Sequence, residues 1–251
     1  MGLAGYLAAF REFLDRSPDG EKRFEQFCQS DQSKMIHFLG YDCAFSHLIV
    51  YPVLLSTIES YRVEQEFYSN HFLTLKGGTL STSRNYAIWA RDIVKDYDQD
   101  SVRFYLSLLA PEEHETEFDL DKFTTWRNQT FIPTTEQLQE RLAEETEKSD
   151  SLNLQTQDMQ AIRRFVQRWY HAASPTHFSM KALAKICEDV LDVIRDRIAL
   201  GATIRPYVAL LSFTGQSIFP VLAHKLQVAS GLSREEIFQQ LVSATSVEYE
   251  I

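Results

Sequence analysis

Only three cysteines occur in the 251 residues, Cys28, Cys43 and Cys187, far apart and with no CxxC pair. That spacing argues against a disulfide framework or a cysteine-built zinc site and makes a reducing cytoplasm the expected setting. Long apolar runs are missing as well. Nothing approaches the roughly 18 residues of a membrane span, and the longest candidate, residues 48–55, is interrupted by Tyr51 and Pro52. The opening Met1-Gly2-Leu3-Ala4 has no basic segment or cleavage pattern, so no secretion signal is expected. Positive charge is in deficit, with 25 Lys and Arg against 35 Asp and Glu and a net charge of −10. A polyanion is bound by clustered cations that displace its counterions, so this balance leaves room for a local basic patch at most. There is no GxGxxG, P-loop, HExxH or GxSxG pattern, no internal repeat and no low-complexity stretch.

What remains is an ordinary globular composition, 44% hydrophobic and 24% charged. Helical apolar spacing over residues 5–16 and 24–30 is separated by the turn formers Ser17-Pro18-Asp19-Gly20. The short apolar run Met35-Ile36-His37-Phe38-Leu39 ends at Gly40 and is followed by a helix-like stretch over 42–58. That order reads as strand, tight turn, helix. A second strand is expected over 67–75, ending at Lys76-Gly77-Gly78, then helical pattern over 86–109 and an acidic linker at 112–121. From there the chain reads as almost wholly helical, over 119–130, 135–146, 156–172, 179–200, 205–230 and 234–243. Ser233 is placed as an N-cap, and Gly201 and Gly231 close helices. The expected architecture is a piece of α/β domain followed by a helical bundle.

In an open parallel sheet, ligands bind outside the carboxyl ends of the strands, which is where Gly40 and Asp42 fall. A glycine there lets a ligand approach the backbone, and a carboxylate can hold ribose hydroxyls. The alternative is a simple strand-to-helix turn with Asp42 as N-cap. His47 is either a satisfied core histidine or a pocket residue. Arg163, Arg164, Arg168 and Trp169 on one helix could hold a stacked base or form an ordinary amphipathic surface. Glu113-His114-Glu115 with Glu117 reads as a solvated charge run rather than a metal site.

The stretch His37-Phe38-Leu39-Gly40-Tyr41-Asp42-Cys43-Ala44-Phe45-Ser46-His47, continuing to Tyr51-Pro52, resembles a segment of the methionyl-tRNA synthetases that reads HF-[IL]-GKD-xxxFH-xxxWP. The resemblance runs in register both ways. Upstream, Gly5-Tyr6-Leu7 and Phe24-Glu25-Gln26-Phe27 fit two helices of the family. Downstream, Lys76-Gly77-Gly78 precedes Thr79-Leu80-Ser81-Thr82-Ser83-Arg84-Asn85 in the place of the KMSKS loop. Asp100-Ser101-Val102-Arg103-Phe104-Tyr105-Leu106 matches a D-xLRYYL helix, and 117–123 matches the acidic approach to the family's helical domain. Residues 5–123 carry the resemblance; 131–251 agree only as a bundle of suitable size.

The resemblance implies an α/β fragment of a class I synthetase Rossmann-like domain followed by an all-α bundle. Residues 1–75 would be the second half of the catalytic domain, 76–130 the loop and connecting helices, and 131–251 the counterpart of the anticodon-binding domain. It also implies roles. Gly40 and Asp42 would flank the adenosine ribose. His47 and Tyr51 would line the amino-acid pocket, with Tyr51 in place of a family tryptophan. Thr79, Leu80, Ser81, Thr82 and Ser83 would form a degenerate KMSKS loop whose two lysines are replaced by Thr79 and Thr82, and Lys76 and Arg84 would be the remaining candidates for phosphate contacts. In-line attack on the α-phosphate of ATP develops charge on phosphate oxygens, and each lost cation costs about a hundredfold or more. None of the seven histidines stands in an HIGH-type arrangement, and the family's anticodon signature after Asn128 is not recognisable. The implied function is a non-translational paralogue, one half of a split or repurposed enzyme that activates or ligates an amino acid. It would use ATP, hold no metal in this chain and require a protein partner carrying the missing N-terminal half, or a homo-oligomer. Relatives in natural-product biosynthesis join an amino acid to a hydroxylamine. The alternatives are a non-catalytic scaffold and, against the charge, a protein that binds tRNA or aminoacyl-tRNA. Phe38, Phe45, Ile49 and Phe72 are the expected apolar surface of half a sheet.

Overall fold

A computed structural model describes residues 2–76, 78–145 and 156–243. Gly77 of the loop motif and the last residue of the helix expected over 135–146 lie outside the described residues. The chain divides into two units, one made of Met1–Phe72 with Pro111–Thr116 and the other of Leu73–Ala110 with Glu117–Ile251.

In the first unit, α1 (Gly5–Leu14) and α2 (Gly20–Gln29) form a short antiparallel pair. The corner requires glycine, because a Cβ on Gly20 would lie 2.0 Å from the Leu14 carbonyl oxygen. The apolar faces meet through Phe10 and Phe27, with ring centroids 4.8 Å apart. The first strand, β1 (Lys34–Gly40), pairs in parallel with β2 (Glu64–Asn70), placing His37 opposite Phe67 and Gly40 opposite Asn70. Alternation along β1 turns Met35, His37 and Leu39 inward and leaves Ile36 and Phe38 exposed.

The helix expected over 42–58 is instead three pieces: a 3-10 turn at Tyr41–Cys43, a π-helical turn at Phe45–Val50, and α3 (Tyr51–Ser56). Two causes are visible. The Cys43 carbonyl accepts from the Ser46 hydroxyl at 2.9 Å and lies 3.0 Å from His47 Nδ1, so side chains compete for it. Pro52 has no N–H to continue a regular ladder, and the wide turn ends just before it. The strand expected over 67–75 is also divided. Asn70 ends β2, and β3 (Leu73–Leu75) belongs to the second unit. The acidic linker is more than a linker, since Pro111–Thr116 returns to the first unit: the His71 N–H donates to the Pro111 carbonyl at 2.8 Å and the Thr116 N–H to that of Phe72 at 3.1 Å.

In the second unit, β3, β4 (Gly78–Thr79) and β5 (Thr116–Phe118) form a small sheet in the order β4-β3-β5. Two helices follow β4, α4 (Ala90–Asp96) and α5 (Gln99–Leu108), and α6 (Leu120–Trp126) follows β5. The bundle consists of α7 (Ile132–Glu144), α8 (Thr156–Ala173), α9 (Met180–Ala199), α10 (Arg205–Thr214), α11 (Pro220–Ser230) and α12 (Arg234–Ser243). The single helix expected over 205–230 breaks because Pro220 starts a new one, and Phe219 folds its ring over Gly215, where a Cβ would meet it at 2.2 Å. The expected punctuation is present. Ser233 and Glu236 cap each other reciprocally at 3.2 and 2.7 Å, and Gly201 and Gly231 take φ of 66° and 75°. Fully buried Leu138, Ile162, Ile186, Ile194, Leu210 and Leu226 join a single large core. No described helix is long and apolar enough to cross a membrane.

Asp98 caps α5, accepting from Ser101 N–H at 2.8 Å, and pairs with Arg127 at 2.7 Å. Burial pushes its carboxyl up, but the hydrogen bonds from Ser101 and Arg127 outweigh that and hold it below the ordinary range. A depressed carboxylate stabilises the fold above its unfolded pKa and loses that contribution as the pH falls through its folded value. Asp98→Ala is therefore expected to cost about 1–2 kcal/mol in urea unfolding at neutral pH. The gap from wild type should narrow below the ordinary Asp value of 3.8; a midpoint unchanged at neutral pH would contradict the assignment.

Candidate functional site

The carboxyl end of β1 carries Gly40, and the 3-10 turn that follows places Asp42 directly over it. A Cβ at position 40 would lie 2.6 Å from Asp42 Oδ1, so a side chain there would displace the carboxylate. Asp42 is not a helix cap; the cap position is Gly40 and has no side-chain bond. Asp42 is exposed, and its carboxylate has no hydrogen bond or ion pair among the described residues. Beside it, the Tyr41 ring stacks on His71 just past the end of β2, with centroids 5.4 Å apart and planes 8° apart. The arrangement is an open turn with one unneutralised acceptor pair and a flat aromatic surface, suited to a polyhydroxylated, ring-bearing ligand.

His47 stands in a cluster of rings. Its Nδ1 lies 3.0 Å from the Cys43 carbonyl and 3.0 Å from Ser46 Oγ, whose own proton goes to the same carbonyl. A carbonyl can only accept, so the neutral ring carries its proton on Nδ1 and Nε2 accepts from the Tyr6 hydroxyl at 2.8 Å. Tyr6 also meets His37 and Tyr51 edge-on at 5.4 and 5.9 Å. His37 is buried, stacked on Phe67 at 4.8 Å and bonded to Gln65 Oε1 at 2.8 Å. The sequence reading gave neither Tyr6 nor His37 a role. The signal was available: His37 shares the inward face of β1 with Met35 and Leu39, and Tyr6 sits in the first turn of α1.

Tyr51 is only 2% exposed, and its hydroxyl reaches nothing better than Met35 Sδ at 3.9 Å. Burial pushes its phenol up to about 12. A cleft of about 450 Å³ in the helical unit is lined by Asp98, Asp100, Arg127, Glu136 and Lys225 among others, but Asp98 is committed to Arg127 and Asp100 to the N-terminus of α11. In the first unit, a cleft of about 330 Å³ is lined by Tyr6, Phe10, Phe27, His47 and the consecutive β1 residues Met35, Ile36, His37, Phe38 and Leu39.

The loop residues lie in the second unit. Thr79 pairs with Thr74 in the sheet, and a bridge between Ser81 and Tyr86 closes a turn in which Asn85 takes φ of 52°. Thr82 and Ser83 are exposed at its tip, and Leu80 is exposed beside it. Lys76 is shared between Asp119 and Asp121 at 3.7 and 3.8 Å, and Arg84 Nε donates to Ser81 Oγ at 3.2 Å. Both cations thus have partners within the unit. The α8 cluster is pulled apart: Arg168 pairs with Asp189 at 2.8 Å while Trp169 packs on Phe213 at 5.0 Å. Among the described residues, no group of three or more His, Cys, Asp or Glu could hold a metal.

The family model for class I (M) tRNA synthetases matches residues 2–143, more than half of the chain. The chain belongs to this family. It is similar to methionine–tRNA ligases of Flavobacterium psychrophilum, at 32% identity over 126 residues, and Phocaeicola vulgatus, at 33% over 130. These matches cover 49% and 51% of this chain but only 18% of each relative. The fold is similar to that of Mycobacterium tuberculosis methionyl-tRNA synthetase bound to methionyl-adenylate, with a TM-score of 0.64 at 15% identity, over 98% of this chain and 51% of that one. An Agrobacterium radiobacter leucyl-tRNA synthetase in a ternary complex with tRNA and LeuAMS gives 0.60 at 15% identity, over 87% and 30%. The chain is a methionyl-tRNA-synthetase-like portion of the class I fold, an α/β Rossmann-like fragment followed by a helical bundle.

In this synthetase portion the Tyr51 ring, not its hydroxyl, carries the packing. Tyr51→Phe is expected to leave thermal stability within about 0.5 kcal/mol, since the sulfur contact is a poor hydrogen bond. Tyr51→Ala should cost about 3–5 kcal/mol. A large loss in the phenylalanine variant would show that the hydroxyl has another partner.

Proposed function

We propose that this chain supplies the ribose side and part of the amino-acid pocket of an ATP-dependent site that activates or ligates an amino acid outside translation, and that another polypeptide supplies the phosphate-binding half. The observation that carries the reading is the contrast between Asp42 and the loop cations. Asp42 keeps a free carboxylate beside a glycine at the carboxyl end of β1, in the place where a ribose diol would donate two hydrogen bonds. Lys76 is tied to Asp119 and Asp121, and threonines stand at 79 and 82. Threonine hydroxyls donate hydrogen bonds but carry no charge to stabilise a transferring phosphoryl group. On this reading Gly40 and Asp42 serve the adenosine, and cations for phosphate come from elsewhere. Tyr6, His37 and His47 line the cleft of the first unit with rings, two of them imidazoles held by hydrogen bonds, and Tyr51 packs behind them; such a lining suits an apolar or aromatic amino-acid side chain.

A scaffold role is the second reading, favoured by the apolar surface of the first unit. Phe38, Phe45 and Ile49 are 59%, 72% and 55% exposed, large apolar side chains open to a partner.

The two readings separate in a binding and turnover experiment. The purified chain, given ATP and methionine, is expected to show no pyrophosphate exchange, and to bind a non-hydrolysable aminoacyl-adenylate analogue that Asp42→Ala weakens by about 1.5–3 kcal/mol. Exchange by the chain alone would overturn the split-enzyme reading. Analogue binding unaffected by Asp42→Ala, or absent in wild type, would favour the scaffold.

A further inference from the structure

Tyr6, His37 and His47 are the lining residues of the 330 Å³ cleft whose side chains form directional hydrogen bonds, and among the described residues no Asp, Glu, Lys or Arg lines it. Acceptors in the protein decide where each of the three ring protons points.

The Gln65 amide settles His37. Gln65 Nε2 lies 3.1 Å from the Val63 carbonyl, which can only accept, so that side of the amide is the NH2. The same NH2 donates to the Tyr61 hydroxyl at 3.1 Å. Oε1 is then the atom 2.8 Å from His37 Nε2, and it too can only accept. The neutral His37 ring therefore carries its proton on Nε2 and a lone pair on Nδ1. His47 directs its proton to the Cys43 carbonyl, and Tyr6 directs its own to His47 Nε2. All three protons are used within the protein. What the rings leave for a ligand are lone pairs, on His37 Nδ1 and on the Tyr6 hydroxyl oxygen.

His37 is the demanding one. Its side chain is stacked on Phe67 at 4.8 Å and met edge-on by Tyr6 and Tyr51 at 5.4 and 5.6 Å, none of which offers Nδ1 a proton. The residue is 6% exposed, and Nδ1 has no hydrogen bond among the described residues, yet it is not sealed from solvent. Its lone pair opens into the cleft that the ring lines. A purely apolar ligand side chain filling the cleft would strip water from this nitrogen and leave a buried acceptor unpaired. A cationic side chain has the opposite defect, because no lining carboxylate is there to pair with an ammonium or guanidinium. A neutral O–H or N–H on a largely apolar side chain meets both conditions, with Phe10 and Phe27 to receive its hydrocarbon part.

We propose that His37 determines specificity in the cleft: its Nδ1 selects a neutral amino-acid side chain bearing a hydroxyl or N–H donor and discriminates against methionine and other side chains that lack one. This rests on the amino-acid-pocket reading above and names the substrate class of that same site.

The test titrates the full chain with aminoacyl-sulfamoyl-adenosine analogues in matched pairs, tyrosyl with phenylalanyl and threonyl with valyl, together with the methionyl analogue. The donor-bearing member of at least one pair is expected to bind about tenfold or more tighter than its mate and than the methionyl analogue. His37→Phe, verified as folded by circular dichroism, should bring that pair to within about twofold. Since a substitution inside β1 risks unfolding the first unit, long-range proton–nitrogen correlation spectra of the labelled wild type read the ring directly. They should show His37 with its proton on Nε2, and a Nδ1 resonance that moves on binding the donor-bearing analogue but not its mate. A proton on Nδ1, equal affinity within both pairs, tightest binding of the methionyl analogue, or a donor preference that survives in folded His37→Phe would overturn the proposal. Equal affinities that still depend on Asp42 would leave the adenylate-site reading standing and refute the selection by His37 alone. Binding of no analogue by the wild type would overturn both.

Discussion

A parallel strand bonded on one side only governs the first unit. Among the described residues β1 pairs only with β2, and its two faces differ in burial. His37 meets Tyr6 of α1 and His47 and Tyr51 of the broken helix, and Met35 meets Tyr51, while Ile36 and Phe38 are exposed. Buried hydrophobic residues in this unit are few, with Leu14, Tyr51, Leu55 and Val63 below a tenth exposed. The second unit is different: its helices close around a continuous core from Phe104 to Leu241. Stability follows buried apolar area, so the two units differ in how much of their fold they can sustain alone.

The candidate site inherits this asymmetry. Asp42 is placed by a turn that belongs wholly to the first unit, and its geometry depends on Gly40 lacking a Cβ. His47 is fixed by local bonds to Cys43 and Ser46 and by Tyr6 from α1. These groups are oriented without a ligand, which is what preorganisation requires. The cations expected of a phosphate site are engaged instead, Lys76 by two aspartates and Arg84 by its own loop.

Much of this was legible in the sequence, and the failures have physical reasons. The run from Met35 to Gly40 gave the strand and its turn, and the caps at Ser233, Gly201 and Gly231 fell where helix-ending chemistry put them. The helix after Asp42 was misjudged because periodicity does not reveal side chains competing for the Cys43 carbonyl ahead of Pro52. The helix expected over 205–230 spans Pro220, which apolar periodicity does not mark as a boundary but which begins α11. Of the two readings of Arg163, Arg164, Arg168 and Trp169, a stacked-base site or an ordinary amphipathic surface, the contacts of Arg168 and Trp169 favour the second. Packing sent the tryptophan inward and the arginine to Asp189. Tyr6 and His37 are not assigned from the sequence because their contacts join α1, β1, β2 and the broken helix, from 10 to 45 residues apart, which local spacing cannot show.

The first unit buries few apolar side chains around a two-stranded sheet, whereas the second closes around a large core. Amide hydrogen exchange on the isolated chain, followed residue by residue, tests it most directly. Amides of β1 and β2 are expected to exchange through low-energy local opening, at least about a hundredfold faster than those in the middle of α9 and α10. Equal protection in the two units would contradict the account, because it would mean that the two units sustain their folds equally.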